Sequence, residues 1–174
     1  WIRNTSEGAL RVEIDTTTYT VKRSRFNTIR DGFKSTRNLF INKINKSLYF
    51  STDSGLYEYN SKSNRMEVSK TIPSSFPHSI LQKRGSYVFG MDLDGIGVLK
   101  QDASGKVVNA RVYPINHKQI DFIQYYETFQ VIDDSTVIIP NENGFSLLDL
   151  TFNKSRETGN ELFIKNVYAT FPKD

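Results

Sequence analysis

The sequence of 174 residues contains no cysteine, only two histidines and no long apolar run. Without cysteine the chain can form neither disulfides nor thiolate metal sites, although this does not assign it to a reducing compartment. No segment approaches the roughly 18 apolar residues of a membrane-spanning helix. Helix signals are nearly absent as well, since residues 120–129 alone fit a helix, and their aromatic content fits a strand equally well. The scarcity of helix signals favours an all-β fold.

The sequence does contain a degenerate repeat, in which a short strand leads through a turn ending in glycine into a second strand. The four turn glycines are 47, 40 and 49 residues apart, and periods in the forties are typical of propeller blades. Glycine supplies the positive φ that tight hairpins require. We therefore predict an all-β β-propeller segment of about three to four antiparallel blades, whose structural turn glycines are Gly8, Gly55, Gly95 and Gly144.

The predicted domain organisation assigns residues 1–159 to the blades and residues 160–174 to a C-terminal strand. Closed propellers usually have about four to eight blades, and the first copy of the repeat lacks its opening strand. We therefore expect the chain to be part of a larger propeller. Exposed blade faces and strand edges would then favour self-association.

Particular residues of the repeat carry a resemblance to a known family. The best copy spans residues 48–60, and the first copy keeps Trp1, Ile2, Thr5, Gly8 and Leu10. With these residues the copies resemble the two-component regulator propeller repeat. Residues 161–169 look like the passage from a last blade into the Ig-like domain of that family, which is not present in this chain.

The resemblance implies a function and a location as well as a fold. It implies a periplasmic ectodomain of a hybrid two-component sensor or a related membrane-bound transcriptional regulator, which senses an oligosaccharide and is not itself catalytic. The implied partners are the rest of the receptor ectodomain (further blades and the Ig-like domain) and a second receptor copy in a homodimer. Any kinase activity would lie elsewhere in the full-length protein.

A basic segment supplies the candidate ligand-binding residues. Residues 22–37 carry six Lys or Arg against one acid. A solvated inter-blade loop would explain this composition, and attraction of an acidic oligosaccharide is the functional interpretation. Nucleic acid is not expected to bind, because no recognised nucleic-acid motif accompanies the charges. The predicted ligand-facing residues are Lys22, Arg23, Arg25 and Tyr125.

No catalytic residue, metal site or cofactor is predicted. His78 and His117 are 39 residues apart and have no nucleophile motif beside them. The run from Asp92 to Gly95 looks like the start of a calcium loop, but it lacks the distal acidic ligand and fits an ordinary turn better. Two alternatives to the sensor stay open: a propeller-fold carbohydrate-active hydrolase or lyase, and a protein-interaction propeller. The Trp-Asp and Gly-His marks typical of the latter are absent.

Overall fold

The computed structural model describes residues 1–4, 7–115 and 128–150, together with the backbone of residues 164–166. These residues form four antiparallel sheets of three or four strands each, and no α-helix occurs among them. The predicted all-β fold class is confirmed, with each sheet a blade-like meander. The chain divides into two compact units, Trp1–Leu81 and Gln82–Asp174.

The first unit contains two complete sheets joined by a short 3-10 turn at Ile29–Asp31. The strands of the first sheet are β1 (Ile2–Asn4), β2 (Gly8–Ile14) and β3 (Val21–Asn27), in that spatial order. The strands of the second sheet are β4 (Phe40–Ile44), β5 (Ser47–Thr52), β6 (Gly55–Asn60) and β7 (Arg65–Val68).

The third and fourth sheets follow, and the first strand of the third begins at the end of the first unit. The third sheet consists of β8 (Ile80–Arg84), β9 (Tyr87–Met91), β10 (Gly95–Gln101) and β11 (Val107–Pro114). The fourth consists of β12 (Gln130–Val131), β13 (Thr136–Asn141), β14 (Gly144–Asp149) and β15 (Ile164–Asn166). β15 pairs antiparallel with β14 and is therefore the outer strand of the last sheet. The predicted boundary after residue 159 stays a prediction, because residues 151–163 lie outside the described part.

The four turn glycines occupy equivalent positions in the four sheets. Each opens the strand after its turn, namely β2, β6, β10 and β14. Gly8, Gly55 and Gly144 have φ values of 133°, 128° and 131°. Gly95 does not share the positive φ that we predicted for it. Its turn is one residue longer than that at Gly55, and the Asp92 carboxylate closes it by accepting hydrogen bonds from the N–H groups of Asp94 and Gly95, both at 3.0 Å.

The first two sheets pack face to face through an aromatic core. Trp1 of the first sheet meets the ring of Phe50 edge-on, with centroids 5.0 Å apart. Ala9, Phe50 and Tyr57 belong to one buried cluster. In the third sheet, β9 and β10 are buried at nearly every position. Such continuous apolar runs indicate strands that are covered on both faces.

Two side-chain amides, one in each unit, make the same pair of backbone hydrogen bonds. Asn42, the third residue of β4, donates to Ser79 O at 3.1 Å and accepts from Leu81 N at 2.9 Å. Gln82, the third residue of β8, likewise donates to Phe129 O at 2.5 Å and accepts from Val131 N at 3.2 Å. Each carboxamide thus bonds to the backbone beside the start of a later strand, β8 for Asn42 and β12 for Gln82.

Candidate functional site

The basic segment is a strand for part of its length. Residues 21–27 form β3, which pairs with β2 along the edge of the first sheet, so the interpretation as a loop is wrong there. The first four residues of β3 are exposed. Regular pairing with β2 holds the arginines of this strand at fixed spacing, which a solvated loop would not do.

The pairing of β2 with β3 brings three arginines onto one face of the sheet. Arg11 lies opposite Arg25, and Glu13 lies opposite Arg23. Because side chains alternate between the two faces of a strand, these four residues project to the same side. Ala9 shares that side and is buried in the core between the first two sheets. The arginines therefore lie where this face runs outward from the core towards solvent.

A cleft of about 160 Å³ opens at this position. One wall comes from β2 and β3, and the other from the end of β6 and the turn before β7. Arginine, tyrosine, serine and asparagine dominate its lining, which consists of Arg11, Glu13, Arg23, Ser24, Arg25, Tyr59, Ser61 and Asn64. All of these residues belong to the first unit.

Tyr59 positions the guanidinium of Arg11. The Arg11 Nη1 donates to the Tyr59 hydroxyl at 2.6 Å, and the guanidinium carbon lies 5.3 Å from the centre of the ring. The Tyr59 hydroxyl in turn donates to the side-chain oxygen of Asn64. Trp1 packs edge-on against the Tyr59 ring with centroids 5.1 Å apart. The aromatic core thus holds one arginine of the cleft in place.

Arg25 connects the cleft to the 3-10 turn. Its Nη2 lies 2.7 Å from Oδ1 of Asp31, whose Oδ2 accepts from the Thr28 N–H at 2.9 Å. The bond from the Thr28 N–H, and after it the Arg25 guanidinium, lowers the pKa of Asp31 below its ordinary value against the opposing effect of burial. Asp31 is therefore ionised at neutral pH and bound on both sides.

The structure brings together two of the four predicted ligand-facing residues. Arg23 and Arg25 line the cleft, whereas Lys22 does not. The Lys22 Nζ lies 2.9 Å from a carboxylate oxygen of Asp15, at a point where the β2–β3 register shifts. Tyr125 lies outside the described residues. Arg11 and Tyr59 were not predicted as site residues, because they are 48 positions apart and no local motif joins them.

The lining of the cleft favours an anion. Three arginines against one glutamate leave a net charge of +2 among the lining residues. A guanidinium presents a planar fork of N–H donors that matches a carboxylate, sulfate or phosphate. Ser61 and Asn64 add neutral hydrogen-bonding groups. Within the described ranges, no group of three or more His, Asp or Glu is placed to hold a metal ion.

Comparison of the chain with protein families, with curated proteins and with solved structures found no match. In the part of the chain that the structure describes, no helix has the length and apolar character needed to cross a membrane.

Proposed function

We propose that this chain is a non-catalytic ligand-binding segment whose cleft in the first unit binds an acidic oligosaccharide. The observation that carries the proposal is the convergence of Arg11, Arg23 and Arg25 on one cleft. The carboxylate of a uronic acid would pair with a guanidinium, and sugar hydroxyls would bond to the serine and asparagine side chains.

The chemistry of the cleft supports binding over hydrolysis. Glycoside hydrolysis ordinarily needs two carboxyl groups on either side of the scissile bond. Among the described lining residues, Glu13 is the one carboxylate, and its oxygen lies 2.7 Å from Arg11. No second carboxyl group stands among these lining residues to act with Glu13 as an acid and base pair.

The wider proposal follows from the resemblance of the repeat. The chain would be part of the periplasmic ectodomain of a two-component or transcriptional regulator. It would pack with the rest of that ectodomain, and two copies of the whole receptor would form a homodimer. Binding would produce a signal by favouring one arrangement of the receptor over another. The blade-like meanders are the structural feature that supports this proposal.

Isothermal titration of this chain with tri-galacturonate tests the binding proposal. The fully methyl-esterified trimer is the matched control, because it has the same sugars without the charges. We expect the acid to bind and the ester to bind at least about tenfold more weakly, since charge-assisted hydrogen bonds would be lost. Equal binding of the two trimers would contradict the proposal.

A pair of variants tests the location of the site. Arg23→Gln should weaken tri-galacturonate binding about tenfold, because the cleft loses a guanidinium. Arg84→Gln, which removes an equal charge from an exposed position on β8 outside the cleft, should leave the affinity unchanged. The same loss in both variants would mean that general charge, rather than the cleft, attracts the ligand.

A further inference from the structure

The three arginines of the cleft differ in what they already bind. Arg11 Nη2 lies 2.7 Å from Glu13 Oε1, and Arg25 Nη2 lies 2.7 Å from Asp31 Oδ1. Within the described part of the chain, the Arg23 side chain makes neither an ion pair nor a hydrogen bond, and it is exposed. Two guanidiniums are thus occupied by the protein's own carboxylates, and one is open.

The strand register explains why the two acids are there. Arg11 and Arg25 lie directly opposite each other on neighbouring strands, where like charges destabilise a sheet. Glu13 and Asp31 each neutralise one member of that pair. When no ligand is bound, the acids therefore stabilise the arrangement of arginines on which the cleft depends.

We infer that Glu13 and Asp31 are internal competitors, which an incoming anion must displace from Arg11 and Arg25 after it has first paired with Arg23. This inference rests on the proposed function, because it concerns regulation of the same cleft. Anion affinity is then set by the balance between the ligand's acid groups and these two side chains. A ligand with several acid groups can engage all three arginines, whereas a single anionic group such as sulfate pairs with Arg23 and competes with Glu13 for Arg11.

The two competitors are not equally easy to displace. The Glu13 side chain is 44% exposed, and Arg11 is its one ion-pair or hydrogen-bond partner among the described residues. Asp31 is 18% exposed and also accepts hydrogen bonds from the Thr28 N–H at 2.9 Å and hydroxyl at 3.4 Å. Exposed ion pairs contribute little and are readily broken. Glu13 therefore yields first, and Asp31 stays bound to Thr28 when Arg25 turns to the ligand.

The test compares Glu13→Gln with the wild-type chain by titration with tri-galacturonate. Glutamine keeps the volume of the side chain and removes the competing charge. We expect about two- to fivefold tighter binding, the range that corresponds to an exposed ion pair. Glu142→Gln, an equal charge change at an exposed turn position outside the cleft, should bind as the wild type does. Thermal unfolding of each variant shows whether it is folded.

Titration with inorganic sulfate separates this inference from the proposed function. If tri-galacturonate fails to bind but Glu13→Gln binds sulfate more tightly than the wild type, the proposed ligand is wrong and the competition stands. If the wild type binds tri-galacturonate but Glu13→Gln binds both probes with unchanged or lower affinity, the proposed function stands and the competition is overturned. If Glu13→Gln shows no gain with sulfate and neither protein binds the trimer, both are overturned.

Discussion

Strands β3 and β10 show how differently two parts of one repeated fold can be used. In β10, six of the seven residues are buried, and buried residues lie on both faces of the strand. In β3, a strand of equal length, five of the seven residues are exposed, and two of those five are Lys22 and Arg23. Both strands belong to antiparallel meanders. The side chains of β10 pack in the interior, whereas the arginines of β3 line a cleft.

This comparison shows where function enters a repeated structure. The central strands of each sheet supply the buried side chains that pack the core. A binding site requires side chains that packing does not use, and here they lie on β3, an outer strand of its sheet, from which Arg23 and Arg25 line the cleft. The cleft nevertheless depends on the repeat, because the core residues Trp1 and Tyr59 hold Arg11 in place.

The largest loss of stability should come from a substitution in the buried strands of the third sheet. Phe89 on β9 is completely buried. Phe89→Ala should lower the free energy of unfolding by about 3–5 kcal/mol, because it removes a large apolar side chain and leaves a cavity. Chemical denaturation measures this loss. A loss below about 1 kcal/mol would mean that the third sheet is not packed as described.

Two turn glycines provide the next test. A Cβ added at Gly8 would lie 2.1 Å from the carbonyl oxygen of Asn27, whereas one added at Gly55 would meet no atom within 4 Å. Both residues have positive φ. We expect Gly8→Ala to cost about 3 kcal/mol and Gly55→Ala or Gly55→Val about 1 kcal/mol, because strain acts at both and a steric clash only at Gly8. Equal losses in denaturation experiments would contradict the close approach at Gly8.

The backbone hydrogen bonds of the Asn42 carboxamide should have a smaller effect. Asn42→Leu keeps the approximate volume but leaves the Leu81 N–H and the Ser79 carbonyl without their side-chain partner. We expect a loss of about 1–3 kcal/mol in the free energy of unfolding. Gln82→Leu on β8 should behave in the same way, because its carboxamide makes the same pair of backbone hydrogen bonds. Hydrogen exchange at the Leu81 amide, which should accelerate in Asn42→Leu, locates the effect.

The smallest effect should appear in the pH dependence of stability. The carboxyl pKa values of Asp15, Asp31 and Asp133 are lowered, chiefly by Lys22, the Thr28 N–H and the Ser135 N–H respectively. A lowered pKa in the folded state contributes stability above the unfolded value of 3.8 that is lost as pH falls through the folded value. The contribution of these carboxylates to the melting temperature should thus change little between pH 7 and about pH 5, and it should fall below about pH 4. Asp31→Asn should show a shallower decline on the acid side.

Much of the fold was predictable because the repeat is a local pattern. The spacing of Gly8, Gly55 and Gly144 located three of the four hairpins together with their backbone conformation. The turn at Gly95 departs from this pattern, because Asp92 supplies hydrogen bonds that close the turn without a positive φ. A local motif therefore predicted the position of that turn but not its conformation.

The site was less predictable because it is assembled from distant positions. The charge of Arg23 and Arg25 was visible in the sequence, but a segment with many charges and few apolar residues is typical of a loop. Nothing in the sequence near Arg11 or Tyr59 marks either as a site residue, because packing of the first two sheets is what brings them into contact. Asn42 and Gln82 could have been noticed as amides at the third position of successive opening strands.

Backbone NMR spectra of the ¹⁵N-labelled chain, recorded during titration with tri-galacturonate, show which residues the ligand contacts. We expect the amide shifts that change to be concentrated in residues 11–13, 23–25 and 59–64, with smaller changes near Thr28 and Asp31. Amides of β9 and β10 should keep their positions throughout. Changes concentrated in the third or fourth sheet, or no changes at saturating ligand, would contradict the assignment of the binding site to the arginine cleft.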